Sequence, residues 1–590
     1  MHFVLMLAFF VILLAALSPK VYKIPSGIAL VLSPSGDLVE QTTGDPMERA
    51  LEQASGNETV ETQMRDLVEA VDRAAEDERI ETLVLDLDGM GSAGLSKLQE
   101  LAKVIDRFKA SGKPVVAMAS AYSQERYYLA SHADEIYLHP MGMVILDGYE
   151  RYRMFYKDGL DKLSIDWHVF RAGTHKSFGE PFTRNDMSEE DKSSSRQWLD
   201  GLWLAFREDV SAARGMSVQD LDGYVNDFVP RLKAVNGDMG KLALDGGLVD
   251  GLMSWPDFSD HMVAMVGEDD DTGGYNQMNF LDYLEALDGT DMKPDGDDQV
   301  AVIVASGSIV GGDQPPGTIG SESTARLIRQ AAESEQVKAV VLRVDSGGGS
   351  AMASEFIREE LLRLQATGKP LVVSMGSVAA SGGYWISMSA DEIWASPTTI
   401  TGSIGVIAMF PTFPRALDRL GIHVDGVGTT PFSGSFRPDR PLSDNAQAIL
   451  QIIVDSGYQD FLTKVAGSRD MEVKDVDQIG QGQVWIGATA HDLGLVDKLG
   501  GLEDAVASAA DLAGLTDFRT VYIEQEIDPS DRLLISLLRD LGIGRVRQHA
   551  GAWSAMSLQG VLGKLQLELD TLSRFNDPRG IYYHCFCGDQ

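Results

Sequence analysis

Short apolar runs bounded by turn residues recur along the chain, alternating with stretches in which apolar residues return every three or four positions. "AVVLRVD" (339–345) and "PLVVSM" (370–375) have the length and flanks of buried strands, whereas "MASEFIREELLRLQAT" (352–367) has helical spacing. Strands alternating with helices predict an α/β fold with largely parallel pairing. Beyond about residue 515 the pattern changes: "DRLLISLLRDLGIGRV" and "VLGKLQLELDTLSRF" read as amphipathic helices. At the other end, Phe3–Leu17 is an unbroken apolar run of fifteen residues. It is shorter than the ~20 residues of a full span, and no clean cleavage site follows it. An uncleaved membrane anchor over 1–18 is expected. Lys20 and Lys23 follow the run, an asymmetry that opposes export of the body.

The pattern occurs twice. "GKPVVAMASAYSQERYYLASHADEIYLHP" (112–140) matches "GKPLVVSMGSVAASGGYWISMSADEIWASP" (368–397) with one residue inserted. Upstream, "IETLVLDLDGMGS" matches "VKAVVLRVDSGGGS", placing Asp88 opposite Asp345. Downstream, "GMSVQDLDGY" matches "DMEVKDVDQI", and "GLVDGL" matches "GLVDKL". Blocks repeated in one order mark a duplication. The acidic, Gly-rich stretches 267–274 and 293–298 flank the boundary between the copies. The expected organisation is an anchor (1–18), a first repeat (25–290), a second repeat (296–515) and a helical extension (516–590).

Composition narrows the setting. A 44% hydrophobic and 23% charged chain is ordinarily globular, but its net charge of −38 is not ordinary. So acidic a surface argues against nucleic acid as a partner. The two cysteines, Cys585 and Cys587, exclude a disulfide framework for the body. With His584 they form an incomplete ligand set, so the expectation is a tail packed or pinned at the surface. No metal and no cofactor are expected.

The duplication is an internal control: folding positions should match, and chemical positions can survive in one copy. "SMGSVAASGGYWIS" (374–387) leaves a strand through Ala379, Ala380, Ser381, Gly382 and Gly383. Opposite Ser381 the first repeat has Gln124, or Ser123 if the gap moves by one, and Glu125 and Arg126 face the two glycines. In "GTHKSFGEPFTR" the first repeat has Lys176 where the second has Pro431. The complementary losses predict one composite site, with the serine as nucleophile and the lysine as base. The lysine serves as a base only when neutral, and burial favours that form. His175 is the competing base, but an adjacent residue on an extended segment points the other way. For a developing oxyanion, the candidate donors are the amides of Gly382 and of Gly349 or Gly348, where no Cβ blocks approach.

Together, "AASGGYWIS", "ITGSIG", "GTHKSFGEPFTR", "QGQVWIGATAHDLGLVD" and the ending "NDPRGIYYHCFC" resemble one family. They are similar to the long, duplicated form of signal peptide peptidase A, a membrane-anchored bacterial serine protease. The resemblance, from about residue 25 to 515, implies tandem Clp/crotonase-like (ββα superhelix-type) domains. It implies a Ser-Lys dyad of Ser381 and Lys176, with Ser403 orienting the lysine; Leu146 is the first-repeat counterpart of Ser403. It further implies a homotetramer at the bacterial inner membrane, a body on the periplasmic side, and signal peptides and other hydrophobic peptides as substrates. The family's oxyanion loop usually reads Ser-Pro-Gly-Gly, and here Gly347 replaces the proline. Two other classes share the fold: an idle binding scaffold and a crotonase-type acyl-thioester enzyme.

Overall fold

The computed structural model describes residues 23–55, 60–288, 298–526, 576–585 and 587. The expected anchor and most of the expected helical extension lie outside these residues. Among the described residues no helix is long and apolar enough to cross a membrane.

The chain forms two compact units. The first draws on residues up to 148 and on 204–295, the second on 149–203 and 296–524 together with the C-terminal segment. In the first unit, six strands lie in the order Gly251–Leu252, Glu135–Leu138, Val115–Ala119, Ile80–Asp86, Ile28–Leu32, Gln277–Asn279, and every neighbouring pair is parallel. In the second unit the matching parallel path runs Lys498–Leu499, Glu392–Ala395, Leu371–Ala380, Val337–Ser346, Gln299–Ser306, Arg519–Tyr522. The strand order is the same in both, so the repeat in sequence is a repeat in topology.

The polar residues shared by the copies hold this frame. Asp134 and Asp391 accept hydrogen bonds from the amides that open the middle strands, Val115 at 2.9 Å and Leu371 at 2.8 Å. Asp250 and Asp497 do the same for Ile136 and Ile393, both at 2.8 Å. Asp88 and Asp345 each bind an amide just beyond or at the end of the same strand, that of Ser120 and that of Val378. Lys113 and Lys369 donate to carbonyls near the ends of the helices Met64–Glu76 and Ser321–Glu333, and Tyr127 and Tyr384 donate to the carbonyls of Leu248 and Leu495. Hydrogen bonds to a charged group contribute about 1.5–3 kcal/mol each. Asp391→Ala is therefore expected to lower the stability of the second unit by about 2 kcal/mol, read as a lower urea midpoint. A variant as stable as the parent would show that the shared carboxylates have another role.

The units do not follow the sequence boundary between the repeats. Residues 149–203, which include Lys176, belong with the second repeat. The cause is strand pairing: Asp166–Ala172 runs antiparallel to Val406–Thr412 over seven matched positions. This pair lies in a second sheet, ordered Thr318–Gly320, Ser308–Val310, Gly348–Ser350, Ile581–His584, Val406–Thr412, Asp166–Ala172. The region beyond 515, expected to be helical, contributes two strands among its described residues, Arg519–Tyr522 and Ile581–His584. Each joins one of the two sheets of the second unit, and the two stretches with helical spacing lie outside the described residues.

Candidate active site

Ser381 follows the strand Leu371–Ala380 and caps the short helix Gly382–Ser387. That strand is buried between Val337–Ser346 and Ile400–Gly402, so its end is fixed from both sides. Ser381 is fully buried and has φ +56° and ψ −108°. A non-glycine residue held at positive φ is strained, and such strain collects at functional sites. Ser403, at the end of Ile400–Gly402, also has positive φ, +50°. The amide of Ser381 donates to the Gly402 carbonyl at 2.9 Å, which locks the two serine-bearing turns together.

Lys176 reaches this point from the loop after Asp166–Ala172. Its Nζ lies 2.7 Å from Ser381 Oγ, and 3.1 Å from both the Oγ and the carbonyl oxygen of Ser403. The side chain is 2% exposed. Burial, with no carboxylate against the amine among the described residues, pulls its pKa down to about 7. The structure thus brings together the three side chains singled out in the sequence. His175 stands on the wall of an adjoining cavity, and its backbone amide donates to Gln481.

The small residues around Ser381 are required by contact. A methyl group on Gly382 would lie 2.9 Å from the Tyr583 carbonyl oxygen and from Ser354 Oγ; on Gly383 it would lie 2.5 Å from the Ser346 carbonyl. Gly348 has φ +100°, and a methyl there would sit 2.5 Å from the Gly382 amide nitrogen. Gly348 therefore faces Gly382 directly, while Gly349 packs against Ile309. The Gly348 amide also donates to Ser346 Oγ at 3.1 Å. In the first unit the counterpart space is filled. Arg126 is buried and donates twice to the Met90 carbonyl, and Gln124 binds the backbone of Gly148.

Two features were missed in the sequence. One is the backing of the lysine by "GQGQ" (480–483). A methyl on Gly482, at φ +77°, would lie 2.6 Å from the Lys176 amide nitrogen, and the Gln483 carbonyl accepts from the Ser403 amide at 2.7 Å. Its signal was Gly482, set between two glutamines at the head of "QGQVWIGATAHDLGLVD". Gly482→Ala is expected to cut peptide hydrolysis about 10²-fold through displacement of Lys176. Unchanged turnover in that variant would show that the backing is dispensable.

The other is the tail. Cys585 and Cys587 form a disulfide, and Cys587 is buried. The expectation of a surface tail is corrected: the preceding strand pairs with Gly348–Ser350 on one side and Val406–Thr412 on the other, which draws the cysteines inward.

Comparison with known proteins decides the family. The model of peptidase family S49 matches the chain twice, over residues 107–264 and 363–516. The chain belongs to peptidase family S49. Protease 4 of Haemophilus influenzae is 40% identical over 527 residues, 89% of this chain and 85% of its own. Protease 4 of Salmonella typhi is 39% identical over 565 residues, covering 94% and 90%. The chloroplastic serine protease SPPA of Arabidopsis thaliana is 31% identical over 469 residues, covering 78% and 67%. This S49 chain is thus a serine protease of the signal peptide peptidase A type in its duplicated form, with tandem domains of mixed α/β content. The scaffold and thioester-enzyme alternatives are not favoured.

Proposed function

We propose that this S49 protease is a Ser-Lys endopeptidase acting on apolar peptides at a membrane. The observation that carries the reading is the buried amine of Lys176 at 2.7 Å from Ser381 Oγ, its pKa drawn down to about 7. Ser381 Oγ attacks the scissile carbonyl carbon while its proton passes to neutral Lys176. The resulting ammonium gives that proton to the leaving amine as the C–N bond breaks. Water, deprotonated by the same lysine, then cleaves the acyl ester and frees Ser381. Ser403 aims the amine, and the amides of Gly382 and of Gly348 or Gly349 are the donors for the oxyanion. No metal or cofactor enters this scheme.

Signal peptides left after export are the proposed physiological substrates. The apolar run at 1–18 is the proposed anchor in the inner membrane of a bacterium, with the body on the periplasmic side and four copies assembling. The domains are proposed to be of the Clp/crotonase-like type. The test is labelling by a fluorophosphonate, which reacts with activated serines. Expected is one modified residue, Ser381, with labelling absent in Ser381→Ala and much slower in Lys176→Ala. Undiminished labelling of the Lys176→Ala protein would remove the lysine from the mechanism.

A further inference from the structure

The C-terminal segment lies where a substrate strand would lie. Ile581–His584 pairs antiparallel with the loop strand Gly348–Ser350, in the register Ser350 to Tyr582, Gly349 to Tyr583 and Gly348 to His584. The Cys585 amide extends the pairing by donating to the Gly347 carbonyl at 2.8 Å. The Tyr583 carbonyl oxygen sits in the cradle of the two facing glycines. A methyl on Gly348 would come within 1.9 Å of it, and one on Gly382 within 2.9 Å. These are the backbones that flank the nucleophile, so Tyr583 occupies the position of the residue before a scissile bond.

Its side chain fills a closed aromatic pocket. The Tyr583 ring stacks on Trp385 with centroids 4.5 Å apart and meets Phe461 at 5.1 Å, and the residue is 1% exposed. Gly457 lies over the hydroxyl end, where a methyl would be 3.8 Å from it. Upstream, the segment is pinned by Asp577, whose carboxylate accepts from Ser350 Oγ at 2.6 Å and from the Met352 amide at 2.8 Å. Downstream, His584 packs edge-on against Phe178, and the cysteines join the wall of the cavity that also touches Lys176, Ser403 and Gly482.

We propose that the Cys585–Cys587 disulfide is a redox latch that seats the chain's own C-terminal segment in the substrate groove, with Tyr583 in the specificity pocket. The oxidised chain is then self-inhibited, and a dithiol reductant releases the groove. The chain contains two cysteines in all, and both are placed here. The ring they close fixes the backbone just past His584, so the segment docks with less freedom to lose. Opening the ring restores that freedom. In the step, the dithiol gives two electrons and two protons; the disulfide becomes two thiols and the dithiol becomes a disulfide. The inference rests on the peptidase reading.

The experiment uses the full chain and a fluorogenic apolar peptide, before and after dithiothreitol. Oxidised wild type should be slow, and reduction should raise its rate about tenfold, the scale of a short-loop constraint. The Cys585→Ser/Cys587→Ser double variant should start at the higher rate and ignore the reductant. Tyr583→Ala should be fast in both states, and Tyr583→Phe should behave like wild type. Because Tyr583→Ala removes a buried ring, a second arm is independent of its folding. A synthetic peptide "DPRGIYYHCFC" should inhibit the double cysteine variant, about tenfold more strongly oxidised than reduced. Wild-type rates indifferent to reductant, or a peptide that inhibits equally in both states or not at all, overturn the latch. Failure of the peptidase reading looks different: no hydrolysis and no fluorophosphonate labelling in any variant, reduced or oxidised.

Discussion

Lys176→Met is expected to fold normally and to lose peptide hydrolysis by about 10³–10⁴-fold, the upper range for a positioned general base. Methionine nearly matches the length of the lysine stem and needs no hydrogen-bond partner, so the buried space stays filled. What disappears is the acceptor for the Ser381 proton. Ser381→Ala should be equally inactive. The loss should not be additive in the double variant, because serine and lysine act in one step. The measurement is turnover of one apolar peptide, with circular dichroism to establish folding. A Lys176→Met protein within tenfold of wild type, alongside an inactive His175→Ala, would assign the base to the neighbouring residue.

The second large effect is on pH. The folded amine has its pKa lowered to about 7, against 10.5 for a free lysine, and desolvation is the cause. Burial disfavours the protonated form, so protons leave at lower pH than usual. Neutral base therefore accumulates as pH rises through about 7. Below that point the rate should fall about tenfold per pH unit, and above about pH 8 it should level off. Ser403 Oγ and the Ser403 carbonyl hold the amine toward Ser381. Ser403→Ala should lower turnover by about one to three orders of magnitude while still permitting slow labelling of Ser381 by a strong electrophile. A profile flat from about pH 6 to 10, identical in wild type and Ser403→Ala, is incompatible with a neutral lysine.

Ser381 and Lys176 were legible because the duplication carries its own comparison. The carboxylates repeated in both copies proved to be ties between strands, as at Asp134 and Asp391. The residues present in one copy only, Ser381 and Lys176, proved to be in contact. The membership of residues 149–203 was not legible, because a sequence alignment follows descent while packing follows strand pairing. Nothing local in "DWHVFRA" announces a partner more than two hundred positions away. The C-terminal strand was hidden for the same reason and for another. It has no counterpart in the first copy, so the comparison that exposed the site was silent there. The different surroundings of Gly348 and Gly349, one facing Gly382 and the other Ile309, were not legible either, since three consecutive glycines look alike until neighbours surround them.

The backing of Lys176 by Gly482 has a consequence for biosynthesis. As the chain leaves the ribosome, the lysine emerges first and then waits while the 205 positions that separate it from the serine are added. Even then the loop that carries it lacks its support until "GQGQ" is made, another hundred residues later. A nascent chain therefore holds a lysine without its backing from residue 176 to residue 483, and an unactivated serine for the last hundred of those positions. The segment that fills the groove is made about a hundred residues later still, at 581–584. The order of translation thus keeps a protease inert among the unfolded peptides it could attack, with no separate inhibitor during that interval.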